Sequence, residues 1–95
     1  MEVIGKLKEI SEARYFQGRE GNVKVVDVVI ASGEDEVLVG AMDRQADAFT
    51  IPETNLVTGA LVKAHIQTSV VKGERGSFNT LRLRSIGVIL DVKGF

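Results

Sequence analysis

Ala60-Leu61-Val62-Lys63-Ala64-His65-Ile66-Gln67-Thr68-Ser69-Val70-Val71, then Lys72-Gly73-Glu74-Arg75-Gly76-Ser77, then Phe78-Asn79-Thr80-Leu81-Arg82-Leu83-Arg84 and on to Ile89: this run decides the fold. Its apolar pattern has period two. Val62, Ala64, Ile66, Thr68 and Val70 share one face, and Leu61, Lys63, His65, Gln67 and Ser69 share the other, as in a half-buried strand. Past the glycine-rich turn, Leu81 and Leu83 alternate with Arg82 and Arg84. Two long strands about one short glycine-containing turn predict an antiparallel hairpin.

Upstream, Val23 to Ile30 is the strongest strand of the chain. Five of its eight residues are Val, whose branched Cβ suits an extended, pleated surface. The pair Val25-Val26 breaks alternation, so either both faces are covered there or a bulge separates them. Ser32 to Asp35 reads as a turn, and Glu36 to Met42 as a further strand. Asp43 to Phe49 predicts a helix of at most two turns, with Asp43 placed to cap it, before Pro52 to Gly59 runs as loop. At the start, Val3 to Ile10 alternates, and Gly5 within it marks a bend or a close backbone approach. Ser11 to Asn22 is polar and mixed; Gly18 and Gly21 bracket Arg19-Glu20 as a hairpin tip. The order is three strands, a short helix, two strands. That order predicts an all-β, five-stranded barrel of the OB-fold type with one helix between strands three and four. A small sandwich of another topology has the same periodicity.

Ninety-five residues leave room for one domain, residues 1–95. Apolar residues at 44% and charged residues at 26% exclude general disorder. With no Cys and one His, disulfides, thiolate zinc and multi-histidine metal sites are excluded. No basic segment precedes an apolar run, and no apolar run reaches the ~18 residues a membrane span needs, so a cytoplasmic protein is expected. The net charge is −1, but it is unevenly distributed. Residues 1–24 carry five basic and four acidic groups, residues 25–59 one and seven, residues 60–95 six and two. A near-neutral total thus allows a basic face and an acidic face on one domain.

The final hairpin carries a family resemblance. Thr58-Gly59-Ala60-Leu61-Val62-Lys63-Ala64 stands where single-stranded-DNA-binding OB domains open their fourth strand. Lys72 to Ile86 resembles their last hairpin, with a glycine-containing tip, an aromatic (Phe78), a polar step and then Leu-Arg. Val3-Ile4-Gly5-Lys6-Leu7 resembles their first strand. The chain therefore resembles the compact, tail-less members of that superfamily found in bacteria and their phages and plasmids. It departs from them in having no Trp and no acidic tip after a Gly/Pro-rich linker. The resemblance implies a non-enzymatic protein that binds single-stranded DNA, or RNA, largely without sequence preference and without a cofactor.

Such binding needs cations along phosphates and flat side chains against bases. Arg75, Phe78, Arg82 and Arg84, with Lys72 and Lys63 at the periphery, form one candidate set. Phe78 either stacks a base or plugs one end of the barrel. Arg14-Tyr15-Phe16, in the region after the first strand that forms the other loop beside an OB groove, is the second set. There the aromatics form a stacking platform, or one packs on the core while the other covers it. Phe49 follows the helix at core spacing, and Phe95 is terminal. His65 has no recognisable acid and nucleophile to complete a catalytic set, and Glu34-Asp35-Glu36 with Asp43 lacks the spacing of a calcium loop. No catalytic or metal-binding residue is expected. Val3, Ile4, Val88, Ile89, Leu90 and Val92 exceed what a small core hides, which predicts a homo-oligomer. Two rivals remain: an OB-type module that assembles only with protein, and a barrel for an oligosaccharide or small ligand.

Overall fold

The structure is a computed structural model that describes residues 1–89, without the side chains of Val71 and Phe78. Leu90, Val92 and Phe95 lie outside it.

Six strands form one sheet: β1 (Glu2–Ile10), β2 (Arg14–Gly18), β3 (Gly21–Ser32), β4 (Asp35–Met42), β5 (Leu61–Gly73) and β6 (Gly76–Val88). A one-turn helix, α1 (Arg44–Asp47), and a 3-10 turn, Pro52–Thr54, lie between β4 and β5. The sheet order is β1-β5-β6-β4-β3-β2, and β1 also pairs with β3, so the sheet closes on itself. Both β1 and β2 pair with β3, one after the other, from Lys6↔Ala31 through Ile10↔Val28 to Arg14↔Val25 and Gly18↔Gly21. They are one strand interrupted at Ser11–Ala13. Counted so, the barrel has the five strands and the single intervening helix that the sequence predicts.

Gly5 explains how β1 serves two partners. It pairs with Val62 of β5 while its backbone lies against β3; a Cβ there would press into the carbonyl of Ala31. Only glycine permits that approach without displacing a strand. The seam opposite is closed by one parallel bridge, Gly40↔Arg82, between β4 and β6.

The core is aliphatic. Leu7, Val26, Val28, Ile30, Val39, Val62, Ala64, Ile66 and Leu83 are buried inside the barrel, with Ala46 of α1 and Leu56 joining the same cluster. Phe49 is half-buried against it. Val25 and Val26 are 4% and 1% exposed, and the β3–β4 register runs through them unbroken. Both faces are therefore covered, Val26 by the core and Val25 by the outer groove described below.

Three local expectations are corrected. Arg14-Tyr15-Phe16 is strand rather than loop, because the extended-favouring pair Tyr15-Phe16 finds the start of β3 to pair with. Asp43 makes no side-chain cap. Its N–H still donates to the Lys24 carbonyl across the sheet (2.9 Å), so the chain must turn abruptly, at φ 50°, instead of entering α1 in the extended geometry of a cap. The glycine-rich turn shrinks to Glu74-Arg75, since the strands run on to Gly73 and from Gly76. On the outside, the Lys8 ammonium donates to Glu36, and that partner holds the Lys8 pKa above its ordinary value. Both groups are exposed, so screening leaves the pair little weight in stability. No helix among the described residues is long and apolar enough to cross a membrane.

Candidate nucleic-acid interface

Strand alternation sends Val26, Val28 and Ile30 inward, and so Val25 and Asp27 outward. Their register partners on β4, Met42 and Gly40, face the same way. This outward strip is walled on one side by Arg14 and Phe16 of β2. On the other side stand Gln67 and Ser69 of β5, with Thr80, Leu81 and Arg82 of β6. Together they enclose a groove of about 380 Å³ between two hairpins.

The floor is open at Gly40. A Cβ there would meet Asp27 Oδ1 at 3.7 Å and the Leu81 carbonyl at 3.8 Å, both ordinary contacts. The fold does not demand glycine at this point. Its effect is to keep the floor flat, flanked by the apolar surfaces of Val25, Met42, Phe16 and Leu81. Phe16 is 44% exposed and so presents part of its ring to a ligand.

Four of the polar groups, Arg14, Asp27, Ser69 and Thr80, are paired. Arg14 Nε donates to Asp27 Oδ2 at 3.2 Å, and Nη2 to Oδ1 at 3.4 Å. Ser11 holds the backbone of Asp27: its Oγ accepts the Asp27 N–H at 2.9 Å, and its own N–H donates to the Asp27 carbonyl at 2.9 Å. The hydroxyls of Ser69 and Thr80 meet at 2.6 Å across the β5–β6 pair. Arg14 is thus half-neutralised in place, whereas Arg82 has no carboxylate partner among the described residues.

Of the residues singled out by sequence, Arg14, Phe16 and Arg82 come together in the groove. Tyr15 does not line it: one residue along a strand reverses the face, and Tyr15 sits opposite Lys24, whose ammonium reaches Asp47 (3.0 Å) and Thr50 (3.3 Å) beside α1. A joint Tyr15-Phe16 platform is therefore not formed. Lys63 is on the outer face of β5, 3.6 Å from Glu2, which lies equally near His65. Lys72 and Arg75 occupy the end of the β5–β6 arm, with Gly73 about 13 Å beyond Ser69 at the usual strand rise. The backbone of Phe78 pairs with Val71 on that arm; its side chain lies outside the described residues. Arg84 lies beside the groove at a β-bulge, where His65↔Ser85 is followed by Ile66↔Leu83 and Arg84 is left without a partner. Asp27, Gly40, Met42, Gln67, Ser69 and Thr80 were not foreseen. Gly40 carried a signal, a glycine inside a strand; the others become site residues only through strand pairing.

No family model and no curated protein matches the sequence. Solved structures do. The second OB-fold domain of replication protein A from Methanococcus maripaludis superposes with a TM-score of 0.64 at 13% identity, over 96% of this chain and 84% of that one. The mitochondrial single-stranded DNA binding protein Rim1 of S. cerevisiae superposes at 0.62 with 14% identity, over 94% and 92% of the two chains. A second crystal form of Rim1 gives 0.57 at 18% identity, over 98% and 95%. The fold is the OB-fold. At such identities the likeness carries the OB architecture and not the side chains on it.

Proposed function

We propose that this OB-fold chain binds single-stranded nucleic acid, DNA in the first instance, without enzymatic chemistry and with little sequence readout. The observation that carries the reading is the groove itself. Its floor, opened by Gly40, carries Val25, Met42 and the Arg14-paired Asp27, and it runs between two hairpins whose walls bring Arg14, Phe16 and Arg82 together. A single strand needs such an arrangement: bases against flat apolar surface, phosphates toward cations, no base pairs to be read. Gln67, Ser69 and Thr80 offer hydrogen-bond partners without a fixed code. The OB-fold neighbours support the reading, one of them, Rim1, being described as a single-stranded DNA binding protein in both of its crystal forms. In this proposal Arg82 and Arg84 meet phosphates, Phe16 and Phe78 stack, and Lys63, Lys72 and Arg75 contribute at the margin.

The test is an anisotropy titration with labelled oligo-dT at low salt, repeated as salt rises. Binding should weaken with a slope of about −0.7 per neutralised phosphate. Gly40→Val should lower affinity by roughly tenfold, the worth of one stacked base, by filling the floor. It should not lower the melting temperature, since the new Cβ has room and glycine in a strand interior is itself unfavourable. If the parent binds no oligonucleotide at low salt, the protein-assembly reading replaces this one.

A further inference from the structure

We propose a second anion site beside the groove, built by Arg44, Arg82 and Arg84, that takes a backbone phosphate of the same strand and turns its path around the base of the β5–β6 arm. This deepens the nucleic-acid reading above and rests on it. The three arginines line one cavity of about 430 Å³, to which Gln45 and Gln67 add amide donors. Met42, Gln67 and Arg82 also line the groove, so the two hollows adjoin.

Charge favours this exit. In the groove, Arg14 and Arg82 are offset by Asp27, which already holds Arg14. In the side cavity three arginines face one carboxylate, Asp43, and none of the three has an ion-pair partner among the described residues. Lys24 and Lys63, by contrast, are held by Asp47 and Glu2. A phosphate arriving at Arg44 and Arg84 breaks no existing pair, and only the carboxylate of Asp43 opposes it in the cavity. The bulge adds a geometric reason. Leu83 points into the core, but the next inward positions are Ile86 and Val88, so the extra residue leaves Arg84 and Ser85 both on the outside. Bulges re-aim side chains in this way. The alternative exit, outward along the arm, meets Glu74 between Lys72 and Arg75.

The test is a length series of oligo-dT, from about four to about twelve nucleotides, the range a single OB barrel covers. It is titrated against the full chain, R44Q, R84Q and the tip variant K72Q/R75Q. The parent should gain affinity with length. R44Q should bind the shortest oligonucleotide as the parent does, lose roughly tenfold on the longest, and flatten the salt slope there by about 0.7. R84Q should follow it on the longest and R84K should restore most of the gain, whereas the tip variant, which removes two marginal cations, should lower affinity about equally at every length and so keep the gain. Melting temperatures are measured throughout; Arg44 is exposed, so R44Q alone carries the test if R84Q unfolds. The site is overturned if R44Q tracks the parent at every length, or if the tip variant alone abolishes the gain. A parent that binds no oligonucleotide of any length removes the nucleic-acid reading itself, and this site with it.

Discussion

The two halves of the β5–β6 hairpin have the same alternation and opposite fates. In the half nearest the barrel, Val62 and Ala64 are fully buried and Ile66 and Leu83 are 2% exposed. In the outer half, Thr68 is exposed and Val70 is 63% exposed, although both continue the same face. The alternation runs on from Ile66 through Thr68 to Val70; what changes is that β1 stops pairing with β5 after Glu2↔His65 and the bonds between Met1 and Ile66. Period two therefore identifies a strand, while burial depends on what another part of the chain places over it. The outer half keeps its backbone bonds and gives up its core, which frees its polar face to wall a groove.

The largest contrast should appear in stability. Leu83→Ala should cost about 2–5 kcal/mol in urea unfolding, as large-to-small changes in closed cores do. Val70→Thr, in the outer half, should stay within about 0.5 kcal/mol. Comparable losses would mean that the outer half is covered in solution. Next come effects on affinity. Arg82→Gln should flatten the salt slope by about 0.7, while Phe78→Ala should cost about 1–3 kcal/mol of binding without flattening it, because stacking releases few counterions. If Phe78→Ala lowers the melting temperature and leaves affinity alone, that ring belongs to the stable half. The smallest expected effect concerns association. Beyond Ile66, β5 pairs only with β6 among the described residues, and an unpaired strand edge invites a second chain. Light scattering should give a mass of at least two chains, reduced by Val70→Lys with folding unchanged. A mass of one chain at high micromolar concentration would remove the proposed association.

The barrel was legible because its strands state their inner face locally: Val62-x-Ala64-x-Ile66 and Val26-x-Val28-x-Ile30 need no partner to be read. Arg14-Tyr15-Phe16 does not announce a strand, because five residues among polar neighbours carry too short a pattern and their pairing partner begins only at Gly21. The Asp43 cap failed because a tertiary bond to Lys24 overrode a local preference. The site was partly legible. Arg82 and Phe16 announce themselves by type, but Asp27 and Gln67 look like ordinary strand residues until β2 and β6 come to stand beside them.

The single bridge at Gly40↔Arg82 has a consequence in time. A chain emerging from the ribosome makes β1 to β4 first, and these are joined by neighbouring antiparallel pairs. Arg14 and Phe16 are then present, but their opposite wall is still unsynthesised. The groove comes into being only when β6, which begins at Gly76, docks on β4. Half-made copies therefore hold one wall and no hollow, and the proposed binding waits for the last strand to be made.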